Sequence, residues 1–254
     1  MGTINEELNE KFNFYLTDNI FLNEKRMFYK DKTVKQVKNY NWHKILREYG
    51  WEKLPKKWIN KLNKFKVNNE KNSQYGILDC EHDGNCFFHC ISHAMNEKNN
   101  YETNYDSNDI RQILSDSITV EQYEMMIEYY KAMKDANDFD EEWDPYEIES
   151  IEDFKIQLIE SGHNYWGDYM IMQLLINVLQ VNIFILNSNS EMNDYSIYNT
   201  LNEYNMNYDT ICLVYEDECH FKLVGHFNGD MMVSYFTNKN IPIELSKMYG
   251  ILRD

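Results

Sequence analysis

LDCEHDGNCFFHCISHAMNE, residues Leu78 to Glu97, is the stretch on which the reading of the chain turns. Asp83-Gly84-Asn85 is turn sequence, and Gly84 admits backbone angles closed to other residues. Phe87, Phe88, Ile91, Ala94 and Met95 then recur at three- and four-residue spacing, the buried face of a helix. With Asp83 and Asn85 as turn and cap residues, Cys86 falls in the first helical turn. Unpaired N–H groups and the helix dipole favour an anion there. The spacing therefore predicts a thiol that ionises more readily than a free one, and the thiolate is the nucleophilic form. Turn N–H groups beside the sulfur suit a developing oxyanion. These are the parts of a cysteine hydrolase.

Outward from this stretch, 254 residues provide one sizeable domain with room for an added lobe. An apolar content of 43%, with 15% aromatic residues, calls for a packed core rather than disorder. No run approaches the roughly 20 apolar residues of a membrane span, and Met1 to Asn9 lacks the basic and apolar regions of a secretory signal. Five cysteines do not pair into a disulfide framework, so a reducing, cytoplasmic setting is expected. The net charge of −17 is split. Residues 1–72 carry 16 Lys+Arg against 9 Asp+Glu, and residues 73–254 carry 9 against 33, giving +7 and −24. An acidic main domain disfavours nucleic acid and steers basic partners. Acidic surface that only keeps a protein soluble is the plainer reading of the same numbers.

Residues 1–72 read as a basic helical N-terminal extension. Val34, Val37, Trp42, Ile45 and Leu46 form one amphipathic run; Trp58, Ile59, Leu62 and Phe65 form another, with Lys56, Lys57, Lys61 and Lys64 opposite. Polar VNNEKNSQ, residues 67–74, marks the expected boundary, and the main domain takes 73–254. After the Cys86 helix come helical patterns over 110–118 (with Asn108-Asp109 as cap), 120–136, 148–161 and 169–179. VNIFIL at 181–186 is a buried strand, 188–207 is loop-like, and TICLVY, FKLVGHF and MMVSYF (210–215, 221–227, 231–236) are strands. Pro242 opens a last helical turn. Helices followed by a β meander make an α+β domain.

A cysteine nucleophile needs an imidazole base brought to it by the fold. His82, His89 and His93 lie too near Cys86 in sequence, the last two on the flank of its own helix. His220 follows a strand through the short turn Glu216-Asp217-Glu218-Cys219 and opens the next strand, which presents a side chain rigidly across a groove. His226 shares its parity and competes with it.

Asp83-Gly84-Asn85-Cys86-Phe87-Phe88, then Trp166-Gly167-Asp168 before a helix and an Asn-Ile strand, then Tyr215-x4-His220-Phe221, resembles the ovarian tumour (OTU) cysteine proteases, which are deubiquitinases of papain-like arrangement. The motifs come in the family's order and cover about residues 75–240. The resemblance implies an OTU-like (papain-like superfamily) domain with a small mixed or antiparallel sheet between helices. It implies Cys86 as nucleophile, His220 as general base and Asp83 shaping the oxyanion loop. One position departs. Many members carry Asn or Asp two residues after the histidine to orient the ring, and here that residue is Lys222, which accepts no hydrogen bond. Asn228 and Asp79 are the candidates to replace it, and His226-Phe227-Asn228 would restore the pattern if His226 were the base.

The partner so implied is ubiquitin or polyubiquitin, held by a monomeric chain that needs neither membrane, nucleic acid, metal nor organic cofactor. The setting would be the cytoplasm, including that of a host cell for a viral or bacterial protein. Tyr165, Trp166 and Phe221 are candidates to line the substrate channel, although Trp166-Gly167 also reads as a core tryptophan beside a helix-start glycine. Two rivals stand beside this reading. One is an inactive relative that only binds ubiquitin. The other is a metal site made from Cys86, His89, Cys90 and His93 with Cys80 and His82 nearby, although their i, i+4 pairs point apart along one helix.

Overall fold

The computed structural model describes residues 13–65, 73–139, 142–162, 165–189, 191–192, 194–198 and 203–251. Its first elements correct the expectation of a helical extension. β1 (Phe14–Tyr15), β2 (Ile20–Asn23), β3 (Arg26–Lys30) and β4 (Val34–Gln36) pair in order as an antiparallel meander. Phe21 and Phe28 are cross-strand partners with ring centroids 5.5 Å apart, and Ile20 and Met27 are buried beside the main core. The β2–β3 turn is Glu24-Lys25, both at positive φ (47° and 62°). Asn-Gly is the usual occupant of such a turn, and Glu-Lys gives no hairpin signal. The run expected to be helical from Val34 therefore begins in a strand.

Nor does the packing part at residue 73. After α1 (Trp42–Ile45), strand β5 (Trp51–Lys53) pairs with β6 (Tyr75–Asp79) at the edge of the main sheet. α2 (Lys56–Asn63), between them, buries Trp58 and Leu62 against that sheet. Lys56, Lys57 and Lys61 on its other face are oriented as the amphipathic pattern predicts.

From there the helical stretches follow closely: α3 (Cys86–Lys98), α4 (Ser107–Ser117), α5 (Val120–Asp135), α6 (Ile151–Ile159) and α7 (Tyr169–Leu179). The cap of α4 is Asp106, not Asn108-Asp109; its carboxylate accepts the Asp109 N–H while Asp109 returns the bond. Five further strands follow: β7 (Val181–Asn189), β8 (Asp194–Tyr198), β9 (Asp209–Glu216), β10 (His220–Phe227) and β11 (Met232–Val233). β12 (Tyr235–Phe236) and α8 (Ile243–Met248) finish the chain. β8 lies inside the stretch expected as loop.

The main sheet runs β5-β6-β10-β9-β7-β8, with β11 on β10 and β12 on β9. β7 and β9 are parallel and the other pairs antiparallel. Both faces are covered, so its strands read as continuous apolar runs. Ile183, Ile185, Ile211, Leu213 and Leu223 face α3, α4 and α7; Phe184, Leu186, Cys212, Val214 and Val224 face α2 and α8. The architecture is α+β, a mixed sheet between helices. No helix among the described residues is long and apolar enough to cross a membrane.

Candidate active site

β6, α3 and the β9–β10 hairpin converge at one edge of the sheet. Residues 80–85 link the end of β6 to the start of α3, with Gly84 at φ 82°, the left-handed angle its sequence predicts. Asp83 folds back on this loop: its carboxylate accepts the Asn85 N–H (2.9 Å) and the Asn85 side-chain amide (3.1 Å), and His89 Nε2 lies 3.1 Å away. Partial burial opposes ionisation there, yet these bonds outweigh it and hold the carboxyl at about 2. Asp83 is thus an anionic brace inside the loop.

Asn85 stands at the N-cap of α3, but its side chain makes no cap bond. Its Oδ1 instead accepts from Arg111 Nε (3.0 Å), Arg111 Nη2 (2.8 Å) and the Gly162 N–H (3.2 Å). Arg111 is fully buried on α4; it also donates to the Leu158 and Tyr165 carbonyls and lies 3.9 Å over the Phe88 ring. A guanidinium offers several fixed donors in one plane, so one side chain ties the loop to α6 and the segment before α7. Sequence reading passed over this residue. Its signal was an arginine on the apolar side of α4, beside Ile110 and Leu114.

Cys86 opens α3, 6% exposed, and its sulfur receives the Phe221 N–H at 3.5 Å. Burial pushes the thiol up, against the N–H groups of Phe221 and Phe87, while nearby Cys80 and Asp83 add to the rise. The expected easy ionisation is therefore corrected: desolvation exceeds the help of the helix start and pushes the thiol above its ordinary value.

His220 is the residue before Phe221, so the backbone that touches the sulfur also carries the ring. The hairpin turn holds Asp217 and Glu218 at positive φ (50° and 60°), and Glu216 pairs with His220 across it. His220 is buried, with Nε2 3.0 Å from Asp79 Oδ1. With Nε2 committed to the carboxylate, Nδ1 is the ring nitrogen left for a thiol proton. Burial lowers its pKa below the ordinary imidazole value and Asp79 partly restores it, so the ring is neutral near pH 7 and able to accept a proton. His82, mostly exposed, stacks on it with centroids 3.6 Å apart and planes at 13°.

Lys222, the departure in the motif, is the cross-strand partner of Asp79. Its Nζ lies 2.6 Å from Glu216 Oε2 and 3.6 Å from Asp79 Oδ2. Burial opposes its charge, and the two carboxylates more than offset this. The lysine thus sits behind the acid that faces His220. Asn228 is engaged in a turn with the Asp230 and Met231 N–H groups, and His226 pairs with Tyr75 at the other end of β10. Neither is brought to Cys86.

The rival metal set of Cys86, His89, Cys90 and His93 does not assemble. Cys90 lies with Cys80, sulfurs 3.4 Å apart; His89 turns to Asp83, and His93 meets Tyr49 edge to face. Beside the site is a cleft of about 480 Å³ lined by Trp166, Gly167, Tyr215, Glu218 and Phe221 among others. Trp166 is half-buried on this cleft rather than a core residue; Tyr165 is buried among Tyr130, Trp143 and Phe154. A Cβ on Gly167 would stand 2.4 Å from the Phe87 ring, so close approach demands glycine there. Asp168 caps α7 through the Ile171 N–H, 2.8 Å.

A family model described as OTU-like cysteine protease matches residues 81–227. Comparison with curated proteins gives no match. Among solved structures, the chain is similar to an ovarian tumour (OTU) domain in complex with ubiquitin (13% identity, 70% of this chain and 82% of that one, TM-score 0.41). It is similar as well to an OTU deubiquitinase from Wolbachia pipientis wMel (10%, 68% and 96%, 0.40) and to the viral OTU domain protease from Farallon virus (16%, 61% and 85%, 0.38).

Proposed function

Because the chain belongs to the OTU-like cysteine protease family, we propose that it is a deubiquitinase that cleaves at the C-terminal glycine of ubiquitin. The observation that carries the reading is the junction at Phe221: its N–H touches the Cys86 sulfur, and the preceding His220 is oriented by Asp79. Cys86 is the nucleophile, His220 the general base and Asp79 the orienting acid. With the thiol pushed up and the ring pushed down by burial, the proton passes from Cys86 to Nδ1 as the sulfur attacks, rather than residing there beforehand. N–H groups of the Asp83–Cys86 turn hold the oxyanion, with Asp83 keeping that turn in shape. The imidazolium returns its proton to the leaving amine; water then hydrolyses the thioester, again through His220.

The cleft at Trp166, Gly167 and Phe221 is suited to a narrow Gly-Gly tail, and the −24 of residues 73–254 suits a partner whose recognition face is basic. The test is reaction of the purified protein with ubiquitin bearing a C-terminal electrophile. A covalent adduct is expected, absent in Cys86→Ala and slowed in His220→Ala. Tight ubiquitin binding with no adduct would replace this reading with an inactive binding module, the second reading that Lys222 in place of the usual orienting residue keeps open. Neither binding nor adduct would overturn the substrate.

A further inference from the structure

At the far end of α3 from Cys86 lies a second cavity, of about 350 Å³. Glu97, in its lining, is eleven residues along the helix from Cys86, roughly 16 Å at the α-helical rise. Phe14, Leu22, Tyr101 and Met231 give the cavity an apolar wall, with Phe14 and Tyr101 stacked at 5.2 Å between centroids. Glu24, Glu97 and Glu102 set three carboxylates against the single ammonium of Lys25. Phe14, Leu22, Glu24, Lys25 and Met231 all fall outside residues 81–227, the part that matches the family. The cavity is therefore a product of this chain's own β1–β4 meander packing on α3. Glu97 is only half used by the fold. Its Oε2 accepts from the Ser234 N–H (2.7 Å), the Ser234 hydroxyl (2.6 Å) and the Tyr235 N–H (3.3 Å). Every hydrogen bond of this carboxylate among the described residues falls on that oxygen, which leaves Oε1 for the cavity that the residue lines. Burial pushes the carboxyl up to about 7 in spite of the three donors. Tyr49 and Tyr101, which feel its charge, are themselves pushed up and stay uncharged near neutral pH. Lys98, the next residue on α3, lies over the Tyr235 ring, and His93 meets Tyr49 edge to face.

We propose that this cavity binds a primary ammonium group carried on a short, unbranched apolar stem. The ammonium donates to Glu97 Oε1, and the stem lies against Phe14, Leu22 and Met231. A volume of this size stands at the small end of ligand sites, which run from about 300 to 1,000 Å³. Aromatic walls suit an organic cation as well as an apolar stem. The C-terminal end of α3, where Glu97 sits, adds the negative pole of the helix. A bare metal ion does not fit the lining, because the three carboxylates do not gather as a set within 4.8 Å of one another. A wholly apolar ligand would exclude water from Oε1 and give it no donor, which costs the desolvation of that oxygen. An ammonium on a stem meets both parts of the wall.

The experiment is titration of n-butylammonium chloride into the full chain, followed through the methionine and leucine methyl resonances. Sodium chloride at equal ionic strength is the blank, n-butanol the neutral counterpart, and acetyl-Gly-Lys-Gly-amide carries the same ammonium on a peptide. A saturating shift of the Met231 methyl, assigned with Met231→Leu, is expected with the amine, which should bind about tenfold more tightly than butanol. Glu97→Gln keeps an acceptor for Ser234 and Tyr235 and should weaken the amine about tenfold. If that variant fails to fold, Glu24→Gln with Glu102→Gln on the exposed rim should weaken it about twofold. The amine stays charged throughout, so its affinity should rise about tenfold from pH 6 to pH 8 as Glu97 loses its proton, and should be flat in Glu97→Gln. No histidine lines the cavity to give the same dependence. No shift with the amine, equal binding of butanol, an equal shift with sodium chloride, or affinity unchanged in the Glu97 and rim variants overturns the site. Binding of the peptide as tight as that of the amine places the ammonium on a protein partner, and binding of the amine alone places it on a free small molecule; either keeps the site.

Discussion

At the scale of the residue, Asp79 decides how His220 works. It accepts from Nε2 at 3.0 Å, and burial of the ring is partly offset by that bond. Asp79→Ala should lower kcat/KM by up to about 10⁴-fold, by analogy with triads that lose their orienting acid. Asp79→Asn, which keeps an acceptor, should lose much less. The pH profile gives a second reading. Burial depresses His220, so the acid limb of kcat/KM should lie below the ordinary imidazole value of 6.5. Asp79 raises that pKa while His82 and Lys222 lower it, so Asp79→Ala moves the limb further down and His82→Ala moves it up. A limb unmoved in both would mean that another group titrates. Cys86 and His220 were legible in the sequence because each belongs to a local pattern, a helix start and a strand start. Asp79 stood there only as one of two candidates, since its partner ring is 141 positions away and only the β6–β10 register joins them.

At the scale of the element, the Cys86 helix is held by contacts that its own sequence does not contain. Asn85→Ala would leave buried donors of Arg111 without their acceptor, and a loss of about 3 kcal/mol in denaturant unfolding is expected. Gly167→Ala would press a methyl group into the Phe87 ring at 2.4 Å. Overpacking of this kind costs about 1–3 kcal/mol, and adding Phe87→Leu should recover part of it; a fully additive pair would contradict the contact. The Trp-Gly motif was visible as a helix start, whereas its close approach to Phe87 is a tertiary fact. The same limit hid β2 and β3: a turn of Glu24-Lys25 has none of the glycine or asparagine that normally announces its backbone angles.

At the scale of the whole molecule, residues 13–65 are part of the same core. Trp42, Trp51 and Trp58 are 0%, 4% and 0% exposed, and β5 pairs with the strand that ends in Asp79. A protein beginning at residue 73 should therefore lose the cooperative near-ultraviolet and denaturant transitions of the full chain, and adduct formation with them. Cooperative folding of 73–254 alone would show that the first strands are an addition. Charge was legible at this scale and topology was not, because composition sums over the chain and strand order does not. Asp79 and Cys86 are the two ends of a single loop braced by Asp83 and Asn85. A disturbance of that loop reaches the acid and the sulfur together, while the imidazole stays on its hairpin. Damage there would multiply through two steps of the chemistry at once, so variants of residues 80–85 would separate into near-intact and near-dead enzymes with few in between.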